Sequence, residues 1–179
     1  GLLFLQSYIC APLQWDLRTA VTAAIKSLKA DDTLYAVLFS GRHVVTYVEP
    51  RNLSLHVDDM LLLLDWANTT LPVRPFAQYH PLRALLIRFL PQTTGDVEIF
   101  RSLCLPNLDT DGLVYVYTVA LNRKSNLGLI YVSTNELSFE PLSSRRKELV
   151  SQLNASGLLE RLDNAICMMD TLLVKREQE

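Results

Sequence analysis

The stretch 52–66, NLSLHVDDMLLLLDW, sets four consecutive leucines beside a histidine and a pair of aspartates. It admits three readings: a metal or acid–base site, a membrane segment, or one wall of a core. The spacing favours the wall. Ser54 is a good N-cap, because its side-chain oxygen can accept from a backbone N–H that the first turn leaves unpaired. Asp58 and Asp59 then fall in or near the first turn, where the helix dipole favours negative charge. Val57, Met60, Leu61, Leu64 and Ala67 form an inward stripe, and Leu63 widens it. His56 and Asp59 lie at i and i+3 and can meet on one helix face. The further ligands or bases of a metal or acid–base centre are missing, so a helix-terminus role is expected for both.

Working outward, residues 33–40 (TLYAVLFS) and 43–49 (HVVTYVE) flank Gly41 and read as a β-hairpin. The continuous apolar run 34–39 implies a strand covered on both faces. Upstream, 13–30 carries Leu13, Leu17, Val21, Ala24, Ile25 and Leu28 at helical spacing, and 2–10 reads as a strand. Downstream, "TLPVRPFAQYHP" has too many prolines for a regular helix, so residues 70–98 form a long connection. Within it, 82–90 reads as one or two helical turns or a strand. Strands follow at 98–106, 112–122 and 127–134, with NRKSN as the polar hairpin loop. A helix over 141–157 takes Ser143 or Ser144 as its cap and ends at Gly157. In 158–179, Leu158, Leu162, Ile166, Met169 and Leu173 share one face of a final amphipathic helix, which packs on its own sheet or on a partner.

Hairpins mean antiparallel pairing, and helices must cover the sheet. The expected fold is therefore an α+β sandwich of the profilin-like, longin or roadblock type. It has a five- or six-stranded antiparallel sheet flanked by helices. The expected organisation is a domain over 1–157 with the helix 158–179 appended.

Composition narrows the function. With 179 residues, 49% of them apolar and 20% charged, the chain can bury a sizeable core. A net charge of −2 supplies no basic footprint for nucleic acid. Short clusters such as SSRRKE (143–148) read as solvated surface. Apolar runs fall short of the roughly 18–20 residues a bilayer requires, and the start lacks the pattern of a signal peptide. Cys10, Cys104 and Cys167 are scattered with no C-x-x-C pair, so zinc is not expected. Each reads as a reduced, buried small hydrophobe, which suits a cytosolic or nuclear compartment. Nothing local would activate Cys104 as a nucleophile. Phosphate-cradling glycine motifs and a serine elbow are absent. His43, His56 and His80 fall on a strand, a helix start and a loop. Tyr115, Tyr117 and Tyr131 could form a stacking platform for single-stranded RNA, but the basic groove is missing, so core packing or a protein interface is expected. No cofactor and no catalytic residue is expected.

The opening stretch resembles a segment of the MON/SAND family of vacuolar fusion proteins, built around an S-L-H-x-x-D-L-x-L-L motif. Ser54, Leu55, His56, Asp59 and Leu62–Leu63 match it. Downstream, FRSLCLPNLDTDGLVYVY is similar to the family's W-x-P-x-C-L-P-x-F segment and following G-F strand. Cys104, Leu105, Pro106 and Gly112 match, while Phe100, Ser102 and Leu108 stand where a tryptophan, a proline and a phenylalanine would be. YVST (131–134) followed by Phe139 resembles the family's next strand and turn. The likeness runs from residue 1 to about 165. It implies a second longin domain of a three-longin chain. Such chains pair with a CCZ-type longin subunit, and the pair acts as a nucleotide exchange factor for a late-endosomal Rab GTPase at phosphoinositide-bearing membranes. The implied location is cytoplasmic, peripheral on late endosome, vacuole or lysosome. The matched residues look structural, and none is an exchange contact. The alternative is a longin or roadblock subunit of another trafficking or ciliary complex, of the CCZ, Hermansky–Pudlak or Fuzzy/Inturned kind.

Overall fold

The computed structural model describes residues 8–29, 32–71, 97–108, 112–122 and 125–176, with side chains through Met169. His80, the connecting element at 82–90, the front of the first strand and Leu173 lie outside the described residues or side chains.

Six strands are described: β1 (Ile9–Cys10), β2 (Thr33–Ser40), β3 (His43–Val48), β4 (Glu98–Leu103), β5 (Val114–Asn122) and β6 (Leu127–Ser133). They form one sheet in the order β1-β3-β2-β6-β5-β4. Four helices accompany them: α1 (Trp15–Ser27), α2 (Val57–Thr70), α3 (Phe139–Ala155) and α4 (Leu158–Arg176). The expected α+β sandwich is present. The sheet departs from the expectation at one edge: β1 pairs parallel with β3, while every other pairing is antiparallel. A parallel pair needs a crossover rather than a tight turn. Here α1 and β2 supply that return path.

Alternation along the central strands feeds two cores. Ala36, Leu38, Leu129, Tyr131, Tyr117 and Val119 face α1, α3 and α4. Tyr35, Val37, Phe39, Ile130, Val132 and Val116 face α2. This two-sided burial explains why the run 34–39 is apolar without interruption. Leu17, Val21 and Ile25 of α1, Leu142, Leu149 and Leu153 of α3, and Leu162, Ile166 and Met169 of α4 complete the first core.

Gly41 closes the β2–β3 hairpin at φ +55°, a left-handed conformation that glycine adopts without a Cβ penalty. Gly157, at φ +66°, ends α3 where the sequence places the stop.

Three local expectations are corrected. α2 is capped by His56, not Ser54: its Nδ1 accepts from the Asp58 N–H at 3.2 Å. α3 begins earlier than expected, after Ser138, with Pro141 in its first turn, where a missing N–H costs nothing. The cysteines are exposed rather than buried. Cys10 alternates with buried Ala11, Cys104 lies just past the end of β4, and Cys167 is rotated off the helix face that buries Ile166.

Candidate functional site

Helical periodicity turns Asp59 inward. Val57 and Leu61 of the expected stripe are half-buried, while Asp59 joins Met60, Leu63, Leu64 and Ala67 on the buried face. Only 1% of Asp59 is exposed. A buried carboxylate requires partners, and the turn after β4 provides them. Asp59 Oδ1 accepts from the Asn107 side-chain amide at 3.1 Å and from its backbone N–H at 3.4 Å. That turn closes on itself, since the Leu108 N–H donates to the Leu105 carbonyl at 3.0 Å. Leu105 fills the core beneath α2.

The structure thus brings two separate sequence motifs together. Asp59 comes from one. Leu105, Pro106 and Cys104 come from the other, with Leu105 anchored inside and Cys104 and Pro106 at the surface. Gly112 lies just ahead of β5, partly exposed. Ser54 does not cap a helix. Its hydroxyl donates to the Glu49 carboxylate at 3.3 and 3.4 Å, and the same carboxylate accepts from the Leu55 N–H at 3.1 Å. Leu55 packs on the core beneath α2.

His56 and Asp59 are not brought together. His56 is exposed and lies 3.6 Å from Asp58, while Asp59 points inward to Asn107. His43 begins β3, opposite Ser40 and Ile9. Among the described residues no group of three or more His, Cys, Asp or Glu is placed to hold a metal ion. Tyr117 and Tyr131 are buried, 6.2 Å apart between ring centres, and offer no platform to a base. Tyr115 stacks on Phe100 at 5.9 Å. Among the described residues no helix is long and apolar enough to cross a membrane.

A buried polar cluster went unread in the sequence. Arg146 of α3 pairs with Glu98 at the start of β4, and both side chains are largely buried. Burial pushes the Glu98 carboxyl up, but hydrogen bonds from Arg146 and Ser143 and the nearby positive charge outweigh it and hold it below its ordinary value. Tyr117 belongs to the same cluster, and burial pushes its phenol up to about 12. Burial also raises the Tyr131 phenol. The signal was present in SSRRKE. Leu142, Arg146, Leu149 and Leu153 recur at helical spacing, so Arg146 shares the buried face.

Loops on the first core are fastened similarly. Ser138 Oγ donates to Asp32 at 2.9 Å, and Ser133 Oγ donates to the Asp32 carbonyl at 3.0 Å. On α4, Asp163 accepts from Ser125 Oγ at 2.5 Å and from Asn122, which ties the helix to the β5–β6 turn. These are arrangements that hold elements in place. Among the described residues they assemble no nucleophile with its base.

Comparison with known proteins agrees with the motif resemblance. Residues 31–151 match the family model described as the second longin domain of FUZ, MON1 and HPS1. The chain is 23% identical to vacuolar fusion protein MON1 homolog A of Gallus gallus over 157 residues, which is 88% of this chain and 25% of that protein. It is 27% identical to vacuolar fusion protein MON1 of Cryptococcus neoformans over 148 residues, 83% of this chain and 20% of that protein. The MON1 homolog of Arabidopsis thaliana is 23% identical over 163 residues, 91% of this chain and 23% of that protein. The chain therefore spans about a quarter of the length of these relatives or less.

Proposed function

Because this chain belongs to the family of second longin domains of FUZ, MON1 and HPS1, we propose that it is a non-catalytic interaction domain of a vacuolar fusion protein. In this reading it scaffolds a heterodimeric nucleotide exchange factor together with a CCZ-type longin subunit. The substrate is a late-endosomal Rab GTPase, and the setting is endosome maturation and fusion with the vacuole or lysosome. The observation that carries the proposal is the match to MON1 proteins over more than four fifths of the chain, in animals, fungi and plants.

The geometry is compatible with that role. Exchange needs no side-chain chemistry from the scaffold. A bound partner reshapes the switch regions of the GTPase, and binding energy offsets the lost nucleotide and Mg²⁺ contacts. Ser54, Leu55, His56, Asp59, Cys104, Leu105, Pro106 and Gly112 are structural in this reading rather than exchange contacts, and Asp59 and Leu105 join the head of α2 to the turn that follows β4. Residues 1–157 act as the longin unit and 158–179 as the appended helix. The complex, rather than this chain alone, meets phosphoinositide membranes, from a cytoplasmic and peripheral position. The domain takes no cofactor and binds no nucleic acid.

The family model also spans FUZ and HPS1, which keeps a second reading in view: a subunit of another trafficking or ciliary assembly. Affinity capture from cytosol of the source organism, followed by mass spectrometry, separates the two. Recovery of a CCZ-type subunit, with or without a Rab, supports the first. Recovery of adaptor or ciliary subunits instead moves the function to the second.

A further inference from the structure

The loop between β3 and α2 holds a site that scaffolding does not use. Ser54 follows Arg51 in an Arg-x-x-Ser spacing and precedes Leu55. Residues 53–56 are neither helix nor paired strand. Their side chains alternate. Leu53 and Leu55 pack on the core beneath α2, while Ser54 and His56 are exposed, as is Arg51. The serine is thus presented outward on an extended segment. Its hydroxyl is held only loosely, at 3.3 and 3.4 Å from the Glu49 carboxylate, beyond the usual range for an O–H···O bond.

We propose that Ser54 is a phosphorylation site for a basophilic serine/threonine kinase, and that its phosphorylation releases Glu49 from the head of α2. Kinases of this class seat a guanidinium three residues before the acceptor in an acidic subsite, and Arg51 supplies it. The Ser54 Oγ attacks the γ-phosphorus of ATP. The new O–P bond forms as the bond to the β,γ-bridging oxygen breaks, ADP leaves, and the hydroxyl proton passes to the kinase's base.

The product cannot keep the present contacts. A phosphoserine carries about −1.5 to −2 charges and would stand against the Glu49 carboxylate, with Asp58 a turn away. Repulsion displaces Glu49, and the Leu55 N–H loses its acceptor. The Asp58 N–H at the helix start is already taken by His56, so the phosphate does not gain that donor. Arg51, exposed three residues back, becomes its counter-ion. The outcome is a loosened entry to α2, next to the Asp59–Asn107 contact.

The test treats the protein with ATP and a purified kinase of Arg-x-x-Ser selectivity, maps the phosphate by mass spectrometry, and follows hydrogen exchange at the Leu55 amide. The expected result is phosphate on Ser54 that is absent from Ser54→Ala. Its initial rate should fall by about tenfold or more in Arg51→Ala, the loss of one charge-assisted contact. Leu55 exchange should be faster by about tenfold in the phosphorylated protein. Both substitutions sit at exposed loop positions, and unchanged Leu55 exchange before treatment certifies the fold. No phosphate at Ser54, or a rate indifferent to Arg51, overturns the site. Leu55 exchange that ignores the phosphate overturns the release of Glu49.

Discussion

Replacing Arg146 by methionine is the sharpest test of how the β4 edge is held. Met keeps an unbranched apolar stem and removes the guanidinium with its charge. Glu98 then keeps a carboxylate that is 14% exposed and has lost its ion-pair partner. Breaking a buried pair from one side costs about 3–5 kcal/mol. For a chain of this size that lowers Tm by roughly 6–20 °C. Removing both charges in Glu98→Gln/Arg146→Met should recover most of the loss, since the pair's attraction largely offsets its desolvation. The pH dependence follows from the direction of the Glu98 shift. In the parent protein the folded carboxyl lies below its unfolded value. Its contribution to stability is therefore present above the unfolded pKa and lost as pH falls through the folded one. Without Arg146 its hydrogen bond and positive charge no longer lower the pKa, so the folded value moves up in the direction burial favours, while Ser143 and Tyr117 still hold it down. The stability that the ionised carboxyl contributes above the unfolded pKa shrinks accordingly. Thermal unfolding at pH 5 and pH 7 should show a larger gap between Arg146→Met and the parent at pH 7. A gap that is independent of pH, or a double variant no better than the single one, would refute the reasoning.

Three further outcomes are expected. Asp59→Ala and Asn107→Ala should each destabilise the fold but combine non-additively, with a coupling of about 0.5–3 kcal/mol in a double-mutant cycle read by urea unfolding; additive effects would mean the clasp is incidental. His56→Ala removes the acceptor that caps α2 and should cost about 1 kcal/mol by urea unfolding, while leaving nucleotide release by the assembled complex unchanged; a loss of release without a loss of stability would restore a chemical role to the histidine. Gly128→Ala would set a Cβ 2.7 Å from a ring carbon of Phe39, which is fully buried, so the ring or the strand must shift. The expected cost is about 1–3 kcal/mol by thermal unfolding, and a neutral result would mean the ring has room to shift.

Periodicity made most of the fold legible. The uninterrupted apolar run along 34–39 states that both faces of β2 are covered, and the helical period along 13–30 turns Leu17, Val21 and Ile25 inward, as the structure has them. What stayed hidden depends on contacts between distant segments. The parallel placement of β1 is set by Ile9 lying opposite His43, a register that a two-residue strand cannot announce. Asp59 reads in the sequence as a dipole-stabilised helix-terminus group because its partner, Asn107, is 48 positions away. Arg146 reads as solvated because its charge outweighs its position on the helical stripe. Ser54 looked like a cap on composition, yet the neighbouring histidine fills that place and the serine turns back to Glu49. The cysteines show the limit of reasoning from apolar neighbourhood. One residue's rotation on a helix, or one step along an edge strand, separates the core from water.

The proposed role of the chain is tested most directly by sedimentation velocity of the protein mixed with a CCZ-type longin subunit at micromolar concentration. The account predicts a single heterodimer, held by an interface of at least about 1,000 Å². Two species that sediment separately at roughly 10 μM, a level at which a specific contact of that size is populated, would contradict it.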